Sequence, residues 1–181
     1  MKYLFTTPLL FLSMISFAQV GKEFPAMEGN SLTDEVLSIP QATEGKYTLL
    51  GIAFSKKAEE DLNTWFQPIY EAYVMEEDPN ALIPTMKPDV NVVFIPMFTG
   101  IKRGASKAAT KKMKEEVDKK LHPHIMVYSG SMGDYDEQLG LEDKDKPYFF
   151  ILDPDGKIVY ATDGKASTKK LNEISEMVTN F

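Results

Sequence analysis

Ser55, Lys56 and Lys57 follow a largely apolar run, Tyr47–Phe54, and open a stretch where Ala58, Leu62, Trp65, Phe66, Ile69 and Tyr73 recur at three- and four-residue intervals. The run reads as a strand buried on both faces, the stretch as an amphipathic helix. A serine at such a junction is a natural N-cap. The free N–H groups of the first turn and two ammonium groups could together hold a carboxylate or a phosphate. Thiol chemistry is closed to this site and to the whole chain, because none of the 181 residues is cysteine. That excludes disulfides, CxxC exchange, peroxidatic thiols and thiolate metal sites without any structural argument. A serine in the same place has no comparable acidity, and no base stands beside it in sequence.

Other residues of the right types lack the right spacing. His122 and His124 flank Pro123 with no further ligands placed for a metal, and read as strand-edge residues. Asp153, Asp155 and Asp163 resemble a calcium loop only in composition: Gly156 comes too early and no Glu closes it. Ser129-Gly130-Ser131-Met132-Gly133 does not meet the G-x-S-x-G pattern of a nucleophile elbow. No metal and no cofactor is expected. Between Lys102 and Lys120 the basic residues alternate with Glu115, Glu116 and Asp118. They read as a solvated face, with an acidic partner or an anionic membrane surface as the alternative. The formal net charge of −7 and pI near 4.9 argue against nucleic-acid binding.

The elements that must position these residues follow from periodicity and punctuation. Gly21–Gly45 is rich in turn residues, with Leu32, Val36, Leu37 and Ile39 able to cover a sheet edge. Pro68 should kink the first helix. Val90–Pro96 is a β-branched strand, Ser106–Leu121 a helix with Ala109, Met113, Val117 and Leu121 on one face, and Ile125–Tyr128 a short third strand. Tyr148–Leu152 and Lys157–Ala161, joined by Asp153-Pro154-Asp155-Gly156, form a β-hairpin. Ser167–Val178 is the last helix, and Trp65, at helical spacing with Leu62, Phe66 and Ile69, belongs to the core. Helices between the early strands imply parallel crossovers, and the late hairpin adds antiparallel strands, so the sheet is mixed.

Residues 1–19 read as a signal peptide: Lys2, an apolar run from Leu9 to Phe17, and small residues at Ser16 and Ala18 before a cleavage site. The run is short and interrupted for a membrane span. Residues 20–181 then form one exported domain, periplasmic or extracellular, with no transmembrane span in the mature chain.

The element order, closed by a hairpin and a helix, resembles the thioredoxin fold with an N-terminal extension. Gly21-Lys22-Glu23-Phe24-Pro25 is similar to the opening of extended thioredoxin-like and peroxiredoxin-like domains. Phe54–Ala58 stands where that superfamily has Phe-x-x-x-Cys-x-x-Cys, and Lys146-Pro147 where it has a cis-proline. A narrower similarity, carried by Thr48–Ser55, Trp65-Phe66-Gln67-Pro68 and Gly164–Ser167, is to the cysteine-free, thioredoxin-like ATP-synthase assembly factor family. The hairpin's Lys157-Ile158-Val159-Tyr160 lacks that family's Arg-Trp pair, so the kinship implied is distant. The resemblance implies an α/β fold with a mixed central sheet flanked by helices. It also implies a non-redox binding or chaperone-like role towards a peptide or protein client. Ser55, Lys56, Lys57, Lys146 and Pro147 would form the binding groove, where backbone beside the cis-proline pairs with an extended peptide. Two other readings stand beside it: an enzyme acting on an anionic substrate at the start of the first long helix, and a domain that works by dimerising.

Overall fold

The computed structural model describes residues 19–75, 87–133 and 135–179. The leader segment, and Asp78-Pro79-Asn80, which the sequence marks as part of a long connection, lie outside the described residues. Among the described residues the seven strands are β1 (Met27–Ser31), β2 (Val36–Ile39), β3 (Thr48–Ala53), β4 (Asn91–Thr99), β5 (Met126–Gly130), β6 (Tyr148–Leu152) and β7 (Ile158–Asp163). The helices are α1 (Lys56–Ile69), α2 (Ser106–Glu116), α3 (Tyr135–Leu139) and α4 (Thr168–Thr179). One mixed sheet has the order β2-β1-β5-β4-β3-β6-β7. Strands β3, β4 and β5 run parallel, β6 runs antiparallel to β3, and β7 antiparallel to β6. This is the expected thioredoxin-like α/β architecture. The Leu32–Ile39 segment enters the sheet as a hairpin with β1, which pairs antiparallel with β5.

Period-two alternation divides the core between the two faces of the sheet. Leu50, Ile52, Val93, Ile95 and Phe150 pack with Phe24, Met27 and Ile39 of the N-terminal extension. Leu49, Val92, Phe94, Phe149 and Ile151 pack on the opposite face with Leu62, Trp65 and Ile69 of α1 and Ile174 and Val178 of α4. Gly51 is what lets α1 approach β3: a Cβ there would lie 2.8 Å from both Leu62 Cδ1 and Phe94 Cδ1. Trp65 is buried, stacks on Phe149 at 4.4 Å, and donates its indole N–H to Gly164 O at 2.9 Å.

The N-terminal extension docks on the β6–β7 turn. Phe24 N donates to Gly156 O, Gly45 N to Pro154 O, and Gly21 N and Lys22 O bond the two backbone groups of Ile158. Gly156 is required here twice over: its φ is +84°, and a Cβ would stand 2.8 Å from Pro40 Cγ.

Two expected elements end differently. The second helix stops at Glu116 instead of Leu121. Val117 is extended, and the Asp118 carboxylate accepts from Lys120 N, capping a separate 3₁₀ stretch, Lys119–His124, that includes Pro123. Met113 from α2, Val117 from the extended link and Leu121 from the 3₁₀ stretch still pack on the same core face. At the end of α1, Pro68 lacks an N–H to continue the ladder, and a π-helical turn, Tyr70–Val74, follows, closed by Met75 N donating to Tyr70 O.

Candidate functional site

Sheet topology brings the start of α1 and the loop before β6 together at the C-terminal ends of β3 and β4. Ser55 is extended (φ −137°, ψ 162°), and its Oγ accepts from Ala58 N at 3.1 Å, the N-cap that its position predicts. The same hydroxyl donates to Asp145 Oδ1 at 3.3 Å, and Lys57 Nζ lies 3.8 Å from Asp145 Oδ2. The anion expected at this helix start is therefore supplied by the chain itself, and an anionic substrate would have to displace Asp145. Lys57 and Asp145 keep 68% and 61% of their side-chain surface in water, so solvent screens the pair. Lys56 is exposed.

In the 3₁₀ turn that follows β4, Lys102 Nζ donates to Phe54 O at 3.2 Å and ties that turn to the same corner. Glu59, one turn into α1, has its carboxyl pushed up by burial, against the pull of Lys102 and Lys56.

On the loop side, Lys146 lies 3.6 Å from Asp163 and 3.7 Å from Asp143. These two carboxylates, Asp163 first, raise its ammonium above the usual lysine range. Tyr148 OH accepts from Asp143 N at 2.8 Å, and its ring meets Phe54 edge-on at 6.3 Å. Residues 145–148 thus adjoin the start of the first helix.

The expected cis-proline is corrected: Lys146–Pro147 is trans, and the cis X–Pro bond among the described residues is Ile39–Pro40. Lys146 N donates to Asp143 O, so the chain has already reversed when it reaches the proline and continues into β6 through the default isomer. Pro147 is buried, and its carbonyl accepts from Gly164 N at 2.8 Å. Of the five residues expected at the groove, Lys56, Lys57 and Lys146 are exposed and Ser55 is half-buried, whereas Pro147 is buried.

Asp145, Asp143, Asp163 and Lys102 are not among the site residues that the sequence points to. The alternation Asp143-Lys144-Asp145-Lys146 ahead of the hairpin proline is the one local sign of their role.

Neither histidine is at the site: His122 Nε2 bonds Val117 O and His124 Nδ1 bonds Val92 O, each at 3.1 Å. Among the described residues no group of three or more His, Asp or Glu converges as a metal site. Among them, too, no helix is long and apolar enough to cross a membrane.

Comparison with known families gives a match to the model described as ATP10 protein over residues 6–181. The chain belongs to the ATP10 family. No curated protein sequence matches this family member significantly. Among solved structures, StoA from Bacillus subtilis is 19% identical, covering 83% of this chain and 96% of its own, with a TM-score of 0.53. The exposed lipoprotein thioredoxin Etrx1 from Streptococcus pneumoniae is 15% identical over 86% of this chain and 99% of its own (TM-score 0.55). BsSco, of the Sco family of cytochrome c oxidase assembly proteins, is 11% identical over 88% and 95% (TM-score 0.55). At these identities the likeness is one of fold: the ATP10-family chain has a thioredoxin-like fold.

Proposed function

We propose that this protein is a non-redox binding or chaperone-like assembly module of the cell envelope, exported to the periplasm or beyond. It recognises a peptide or protein client at the rim formed by Ser55, Lys56, Lys57, Asp145 and Lys146. The observation that carries the reading is the Ser55–Asp145 hydrogen bond. At the helix start where thioredoxin-like enzymes need a thiolate, this cysteine-free chain holds a hydroxyl already committed to a neighbouring carboxylate. Family membership supports an assembly role, in line with what the family resemblance implied from sequence.

Recognition would rest on side chains. Pro147 has no N–H, its carbonyl is taken, and Lys146 N is used in a turn, so strand addition at residues 146–147 finds little free backbone. The exposed ammonium and carboxylate groups instead offer a mixed-charge rim, suited to specificity more than to raw affinity.

The test is capture of the client from envelope extracts with the wild-type chain and with K56E/K57E/K146E. One partner held by the wild type and lost by the variant supports the reading. Equal capture by both overturns it.

A further inference from the structure

Ile101 is the most exposed large apolar residue of the described chain, with 102% of its reference surface in water. It sits in the 3₁₀ turn Gly100–Ala105 that leads from β4 into α2. Gly100–Lys120 carries eight basic and three acidic residues, a net of +5 in a chain whose total is −7. Some of these charges are spent internally: Lys102 on Phe54 O, Lys112 on Glu116 and Lys114 on Asp34. Arg103, Lys107 and Lys111 recur every four residues, are all exposed, and form no ion pair among the described residues. Lys107 and Lys111 lie four apart on α2 and share one face, and Arg103 lies in the 3₁₀ turn just before it.

We propose that Ile101 and the Arg103–Lys107–Lys111 ridge dock the domain on an anionic lipid bilayer, with Ile101 entering the headgroup layer. Arg103 Nε donates to Gly100 O at 3.4 Å and its charge stays exposed. A wholly exposed aliphatic side chain followed closely in the chain by exposed cations suits an interfacial anchor. A bilayer admits a protruding wedge without a matched cavity and neutralises evenly spaced cations without matched carboxylates. A folded acidic protein would have to provide both. The rest of the chain is net acidic, which favours presenting this segment to a negative surface. The anchor does not depend on the client-binding reading.

The test compares the full chain with R103E/K107E/K111E and with I101S in co-sedimentation with two kinds of vesicle. One is phosphatidylcholine alone; the other contains about one-third phosphatidylglycerol. The quantity read is the excess of binding to the anionic vesicles. The triple variant should lose more than about tenfold of it and I101S about threefold, each cation near such a surface contributing several-fold. In the unaltered chain, raising sodium chloride to about 0.5 M should abolish the excess through screening. An Ile101→Trp reporter should shift to the blue on anionic vesicles only. An excess that survives both charge reversal and salt would overturn the proposal. So would no excess in the wild type, or binding to polyglutamate without binding to anionic vesicles, which would point to an acidic protein instead.

Discussion

The Ser55 hydroxyl accepts the Ala58 amide at 3.1 Å and donates to Asp145 at 3.3 Å, so one side chain joins the first helix to the loop that precedes β6. Both bonds end with Ser55→Ala. Loss of an N-cap costs about 1 kcal/mol, and urea unfolding should show a lower midpoint with an unchanged slope. Asp145→Asn keeps an acceptor for Ser55 and removes only a solvent-screened ion pair with Lys57. It should unfold like the wild type, and a large loss of stability would show that the carboxylate is structural.

Gly156→Ala tests the docking of the N-terminal extension. The substitution meets a positive φ and a Cβ placed 2.8 Å from Pro40 Cγ. It should destabilise by more than about 1 kcal/mol. Hydrogen exchange should rise first at the amides of Gly21, Phe24 and Gly45, which bond the β6–β7 turn and the start of β7. Uniform acceleration over the sheet would instead mean that the extension and core unfold as one unit.

Trp65 tests the packing of α1 on the sheet. Trp65→Ala removes the stack on Phe149 and the bond to Gly164 O, and should cost about 3–5 kcal/mol. That is a large share of the roughly 5–15 kcal/mol typical of a domain. Trp65→Phe keeps an aromatic face and should cost less. Calorimetry of the two variants should rank them in that order.

Alkaline pH provides a signed test. Burial first, then the bond to Glu173, raises the Tyr160 phenol far above its ordinary value of 10.0. Burial also raises Tyr73, Tyr135 and Tyr148. A phenol held protonated in the folded state contributes stability that is complete below the unfolded pKa. That stability is lost as pH rises from there through the folded value. Lys170 works the other way: burial lowers its pKa, so its penalty is relieved as pH rises. Stability should therefore fall above pH 10 in the wild type. In Tyr160→Phe the fall should be shallower, read from urea midpoints over the alkaline range. An identical pH slope in both would show that Tyr160 ionises freely in the fold.

Much of this arrangement is legible in the residues. The Tyr47–Phe54 run, the Ser55 cap, the apolar spacing around Trp65 and the Asp153-Pro154-Asp155-Gly156 turn each encode local structure strongly, and each appears where expected. The end of α2 is hidden because Val117, in the extended link, and Leu121, in the 3₁₀ stretch, keep helical spacing in sequence, while the Asp118 carboxylate caps the new start. Lys146–Pro147 is a matter of isomer, which a dipeptide does not encode. Asp145 is illegible for a simpler reason: its partner is 90 residues away, and in sequence it is one more charge in an acidic loop.

The most direct test of the central claim is site-specific photo-cross-linking in intact cells, with the probe at Lys57 or Lys146 on the rim or at Val36 on the far sheet edge. Contact-based recognition at the Ser55–Asp145 corner predicts one discrete adduct from both rim positions and none from Val36. No adduct from the rim, or the same adducts from all three positions, would contradict it.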